Sequence, residues 1–350
     1  MWAEGKKRNP DIELWRFIGI LIIVIFHLYH IGVAGAYHWY TGWYFTDLFF
    51  LITGYYTTQH FYKREKEEDK GGLTNKAIKY TLKKAKRFFP YTAPSIIIAY
   101  VLELIPKILR EDFQGVISSI LNFPLEACLL TSAFRVSFTD GIPDLPVNAP
   151  LWFLSALLIV LPFFCWTIGN CSNGVVFIVA IFAAVIDLGF NKGRQFPNDI
   201  LRCFLGLYAG TAIYYFVNVI YEENKNRRES RIRCWGGYCA LFFVVVLTYF
   251  NNSNQVFITL SMEIGLYLIL ASNTSIIPEM FRGIVLKLGE LSIPMYVWHW
   301  TVGSFISMFL NDVSIKCKVI IYISMSVSVA VVSCYIVEKY KHGRMNHKLI

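Results

Sequence analysis

Three ionisable side chains, Arg16, His27 and Asp47, lie in or at the edge of long apolar runs. Arg16 and His27 both lie in residues 11–30, DIELWRFIGILIIVIFHLYH, and the ten residues between them carry no polar side chain. In an α-helix, eleven steps of about 100° make about three turns plus roughly 20°, so the two share a face, about 16 Å apart along the axis. Asp47 opens a second apolar run, in Thr46-Asp47-Leu48-Phe49-Phe50. If the two runs are adjacent antiparallel helices, Asp47 and His27 reach similar depth. An imidazole can take a proton from a hydroxyl, and a carboxylate beside it orients the ring and raises its basicity. Each residue also fits a plainer role. Arg16 can snorkel to headgroups, His27 can bond a neighbouring helix, and Asp47 can cap its own helix.

The elements that must hold these groups are membrane helices. The chain has 350 residues, of which 55% are hydrophobic and 16% charged, too little polar surface for a soluble domain of this size. Aromatics reach 17%, as interfacial belts and a cavity wall require. Ten runs have spanning length and low charge, near 12–34, 43–61, 89–105, 149–168, 174–190, 199–221, 235–250, 256–272, 290–310 and 318–338. The first is expected to be a retained span, since no small-residue cleavage site follows it. A further stretch, 115–134, is broken by Asn122, Pro124 and Glu126 and reads as a re-entrant or interfacial piece.

Basic residues collect before the first span (Lys6, Lys7, Arg8), in the loop 63–87, in the loop 225–233 and after the last span (Lys339, Lys341, Arg344, Lys348). With ten spans all four fall on one side, which the positive-inside rule makes cytoplasmic. The loop 106–148, with Glu111, Asp112, Glu126, Asp140 and Asp144, falls outside. The net charge of +9 is therefore explained by topology, and no nucleic-acid partner is implied. From Thr74 onward, apolar and basic residues alternate at helical spacing, which predicts a cytoplasmic amphipathic helix. The eight cysteines include no C-x-x-C pair and read as small hydrophobes. No metal motif, Walker A loop or dinucleotide-binding glycine motif is present.

An arginine, ten residues and a histidine on the first span resemble the signature of the acyltransferase-3 family. The lead-in Arg8-Asn9-Pro10-Asp11-Ile12-Glu13-Leu14 is similar to the start of members from polysaccharide gene clusters. Further motifs follow in the family's order. Asp47-Leu48-Phe49-Phe50 runs on to Thr53-Gly54, with threonine for the usual serine. The stretch Lys84-Ala85-Lys86-Arg87-Phe88-Phe89-Pro90 has lysine where the family's first arginine stands. Trp152-Phe153-Leu154, the run Leu288-Gly289-Glu290-Leu291-Ser292 leading through Tyr296 to His299, and Tyr335-Ile336-Val337-Glu338 complete the resemblance, which extends from Arg8 to Lys339.

The resemblance implies an all-α integral membrane enzyme with about ten transmembrane helices and both termini cytoplasmic, in the cell membrane. It implies transfer of an acyl group, usually acetyl, from acyl-CoA to a hydroxyl of a surface or lipid-linked glycan. His27 would act as general base, oriented by Asp47, or would carry the acyl group covalently. Arg16, Lys84 and Arg87 would hold the donor's phosphates. Trp152, His299 and Glu338 are further candidates, with His299 also readable as a hydrogen-bonded structural histidine and Arg202 as an acceptor contact or an interfacial anchor. Acyl-CoA, a glycan acceptor and the bilayer are the expected partners. The rival reading is a transporter or flippase of lipid-linked glycans, which also needs polar groups in a cavity.

Overall fold

The computed structural model describes residues 8–33, 41–64, 72–132, 146–190, 198–220, 227–250, 254–272 and 274–346. Lys6, Lys7, Asp140, Asp144 and Lys348, named above for topology, and residues 65–71 and 225–226 of the two basic loops lie outside the described residues.

The first helix, α1 (Pro10–Phe26), starts where the Asn9 side chain accepts from the backbone N–H of Asp11 at 2.9 Å. Pro10 occupies the first turn, where a missing N–H costs nothing, and Asp11 and Glu13 face the positive end of the helix dipole. At His27 the α-helix tightens into a 3₁₀ segment, His27–Ile31, which Gly32 ends in the left-handed region at φ 74°.

Ten further helices follow among the described residues: α2 (Phe45–Arg64), α3 (Leu73–Leu109), α4 (Phe113–Ala127), α5 (Trp152–Asn170), α6 (Asn173–Gly189), α7 (Asn198–Tyr215), α8 (Arg227–Tyr249), α9 (Gln255–Leu270), α10 (Glu279–Phe309) and α11 (Ile315–Asn346). No strand occurs among the described residues. Six segments, Pro10–Ile31, Thr74–Leu109, Ala149–Asn170, Asn198–Ile220, Arg228–Tyr249 and Ile315–Tyr340, are long and apolar enough to cross a membrane. The protein is an all-α membrane protein.

The amphipathic stretch after Thr74 and the run 89–105 are not separate elements. They form one continuous helix, α3, which passes through Pro90, Pro94 and Pro106. Each proline removes an intrahelical bond, a loss that packing against neighbouring helices tolerates in a membrane bundle. The short helix α4 doubles back along α3. Lys107 donates to Ser119 at 2.9 Å, and Tyr100 donates to Glu126 at 3.1 Å. Its polarity is inverted: Phe113, Ile117, Ile120 and Leu121 are exposed, whereas Ser118, Ser119 and Glu126 are buried. An apolar outer face with a polar inner face suits hydrocarbon surroundings.

Five helices close into a ring, in the order α1, α2, α5, α3, α10 and back to α1, each packed on the next. The others lie outside it: α7 against α2 and α5, α6 against α7 and α9, α8 on α9, α11 on α10 and α4 on α3. The tightest crossing is α2 on α7. Gly54 lies against the Leu207 carbonyl, Gly210 lies against the Leu51 carbonyl, and the Thr58 and Thr211 hydroxyls meet at 2.8 Å. Small residues let backbones approach, the usual basis of helix association in lipid.

Candidate functional site

Every helix of the ring contributes a residue singled out from sequence. Arg16 and His27 come from α1 or its end, Asp47 from α2, Lys84 and Arg87 from α3, Trp152 from α5 and His299 from α10. Glu338 lies on α11, outside the ring.

At one end of α1, His27 is 8% exposed and sits where the helix tightens. Its Nδ1 lies 2.8 Å from the Ile23 carbonyl and 3.2 Å from Nε2 of His299. Nδ1 of His299 in turn lies 3.2 Å from the Met295 carbonyl. A carbonyl only accepts, so each Nδ1 carries the proton of its neutral ring. His299 Nε2 is then the bare nitrogen that accepts from His27 Nδ1–H. The same pattern makes Nε2 the basic nitrogen of His27. The orienting contact expected of Asp47 thus falls, at Nδ1 of His27, to His299.

Asp47 is paired elsewhere. Its Oδ1 accepts from Arg202 Nε at 2.5 Å, both side chains being buried. Arg202 also donates through Nη2 to Thr46 Oγ1 at 2.5 Å and to the Trp43 carbonyl at 3.1 Å. The Trp43 and Trp152 rings flank it, with Cζ 4.6 and 5.1 Å from their centroids. The pair was missed in sequence because Asp47 and Arg202 belong to runs far apart in the chain. The available signal was two opposite charges near the ends of two apolar runs.

Around the histidines, the segment before α5 forms a wall. Trp300 Nε1 donates to the Val147 carbonyl at 2.8 Å, and the Tyr296 hydroxyl donates to the Pro150 carbonyl. Glu126, fully buried, fixes this segment by accepting from the backbone N–H of Val147 at 3.0 Å and of Asn148 at 2.7 Å. Burial pushes the Glu126 carboxyl above its ordinary value, against the pull of those two N–H groups and the Tyr100 hydroxyl. His30 stacks on Trp300 at 3.8 Å and meets the Ser304 hydroxyl at 3.1 Å.

At the other end of α1, Arg16 is 5% exposed and pairs with Glu13 at 2.8 Å. Glu13 reaches this position because Gly289 of α10 has no Cβ; the carboxylate occupies that space. Arg16 acts electrostatically on both Lys84 and Arg87, so the three cations expected to act together form one cluster. Tyr91 stands within reach of both Arg87 and Glu338, which connects α11 to the cluster. Arg8 also acts on Arg87, and its Nη1 pairs with Glu290 at 2.6 Å. Beside it opens a pocket of about 370 Å³ lined by Arg8, Glu279, Arg282, Leu286 and Glu290. No grouping of histidine, cysteine and carboxylate suited to a metal ion occurs among the described residues.

A polar site at each end of one buried helix suits a reagent that enters with its charge at one end and reacts at the other. Comparison with known proteins gives the chemistry its class. No curated protein and no solved structure matches the chain. A family model described as an acyltransferase domain matches residues 9–338, nearly the whole length, and the chain therefore belongs to the acyltransferase-3 family.

Proposed function

We propose that this acyltransferase moves an acyl group, acetyl in the first instance, from acyl-CoA to a hydroxyl of a surface or lipid-linked glycan. The observation that carries the reading is the pairing of His27 with His299 at one end of α1 and the Arg16–Lys84–Arg87 cluster at the other. The donor's phosphates bind the cations, with the nucleotide end at the Arg8–Arg282 pocket. The pantetheine arm lies along α1 and brings the thioester to His27. Nε2 of His27 takes the proton of the acceptor hydroxyl as its oxygen attacks the thioester carbonyl. The C–S bond breaks as the intermediate collapses, and the CoA thiolate recovers the proton from the imidazolium. His299 keeps the attacking tautomer by accepting from Nδ1. Both termini face the cytoplasm, and the protein resides in the cell membrane.

The test is transfer of labelled acetyl from acetyl-CoA into a panel of glycans by the purified protein, with His27→Ala as control. Labelled product from wild type alone supports the reading. Movement of a lipid-linked glycan across vesicles with no label transferred would replace it with transport.

A further inference from the structure

The buried guanidinium of Arg202 is unfinished. The side chain is 1% exposed, Nε and Nη2 are engaged with Asp47, Thr46 and Trp43, and Nη1 has no hydrogen-bond partner. A buried donor left without an acceptor costs about 1–3 kcal/mol, and more when charged. Such a cost at a group otherwise fully bonded marks a place where an acceptor arrives from outside. Trp43 and Trp152 flank the guanidinium and are themselves only half-buried. Beside the buried, unpartnered Nη1 they offer aromatic surface to an amphipathic ring.

The chemistry of the ligand follows from Asp47. Its carboxylate already neutralises Arg202 at 2.5 Å, so an incoming anion would meet a like charge. A neutral oxygen, whether hydroxyl or amide carbonyl, takes a charge-assisted hydrogen bond without that repulsion.

Position links this group to the histidines. Gly42, next to Trp43, packs against the Ile22 carbonyl and Phe26 of α1, and Phe26 precedes His27. On the other side, Trp152 follows Pro150, whose carbonyl accepts from Tyr296, one turn before His299. Both tryptophans are thus carried on segments anchored beside the histidine pair.

We infer that Arg202 Nη1, between Trp43 and Trp152, is the acceptor subsite, taking a neutral hydroxyl or N-acetyl oxygen of a sugar ring and holding that ring beside His27. This rests on the acyl-transfer reading for its purpose, and its test separates the two.

The probes are soluble oligosaccharides of glucose, galactose, mannose and N-acetylglucosamine, titrated against the intrinsic tryptophan fluorescence of the full chain in nanodiscs. Trp152→Phe locates the signal. Arg202→Lys keeps a cation for Asp47 and removes Nη1. At least one neutral oligosaccharide should shift the fluorescence, and Arg202→Lys should weaken its binding tenfold or more while acetyl-CoA affinity stays within twofold. The double variant Asp47→Asn with Arg202→Gln leaves no unpaired buried charge and should show the same loss. In the transfer assay, KM for that sugar should rise tenfold with kcat little changed. Sugar affinity unchanged in both variants, parallel loss of acetyl-CoA binding, or binding confined to anionic sugars would overturn the subsite. Sugar binding that depends on Arg202 without any acetyl transfer would keep the subsite and remove the proposed reaction.

Discussion

Nε2 of His299 lies 3.2 Å from Nδ1 of His27, and each ring turns its own Nδ1 to the carbonyl four residues earlier in its chain. The two histidines are therefore not equivalent. His27 donates within the pair and keeps Nε2 as its unprotonated nitrogen, while His299 accepts. His27→Ala should lower transfer by about 10²–10⁴-fold with acetyl-CoA binding kept. His299→Asp should move the acid limb of the pH–rate profile upward, because an anion beside His27 favours the imidazolium. A base must be neutral to work, so activity falls as pH drops through that limb. An unmoved limb in His299→Asp, with the protein folded, would leave His299 a packing residue only.

The cation cluster makes a donor prediction. Arg87→Ala should weaken acetyl-CoA binding, and the wild-type affinity should fall as salt rises wherever the mouth is open to solvent. Lys84→Arg should be tolerated, since it restores the fork that the family motif carries there. Equal calorimetric affinity for acetyl-CoA in wild type and Arg87→Ala would reassign the cluster to lipid headgroups.

Topology can be checked without activity. Single cysteines introduced at Lys76 and Lys339 in a cysteine-free background should be shielded from an impermeant thiol reagent on intact cells and react after permeabilisation. Labelling of either on intact cells would reverse the orientation.

What the sequence disclosed and what it hid divide along physical lines. The Arg16–His27 spacing lies within one helix, where a fixed rise and rotation settle which residues share a face. Lys84 and Arg87 were legible from their place in the family motif, not from a helical spacing. His299 was legible as a buried polar group, but its contact with His27 depends on how α1 and α10 pack, which no local period encodes. Asp47 had two possible partners at similar depth, and depth alone does not choose between an imidazole on α1 and a guanidinium on α7. Continuity of α3 through Pro90 and Pro94 was hidden because tertiary packing outweighs the local cost of those prolines.

The α2–α7 crossing should tolerate no added methyl group. A Cβ at Gly54 would collide with the Leu207 carbonyl, and one at Gly210 with the Leu51 carbonyl. Both obstacles are backbone, so the helices must part, and overpacking of this kind costs about 1–3 kcal/mol or more. Gly54→Ala should lower the melting temperature and should also weaken the Asp47–Arg202 pair carried by the same two helices. Gly174→Ala, with open space around its Cβ, is the control. Equal melting of Gly54→Ala and the control would mean the crossing is loose.

Glu126 supplies a pH signature of its own. Its carboxyl is raised above the ordinary value chiefly by burial. The neutral form is therefore favoured in the fold, and the stability it contributes is fully present below the unfolded value and lost as pH rises through the folded one. Glu126→Gln imitates the neutral carboxyl and should remove that decline from the pH dependence of thermal stability. Glu126→Ala should behave differently, because it strips the acceptor from the N–H groups of Val147 and Asn148, each worth about 1–3 kcal/mol if left buried and unpaired. That segment also receives Trp300 and Tyr296 beside the histidine pair, so the alanine variant should lose transfer as well as stability. Glutamine, whose single amide oxygen can replace only one of the two accepting carboxyl oxygens, should restore only part of both. The measurement is a melting curve at successive pH values for the three proteins. If wild type and Glu126→Gln run parallel from acid to neutral pH, the carboxyl does not titrate against folding, and the clamp acts through its hydrogen bonds alone.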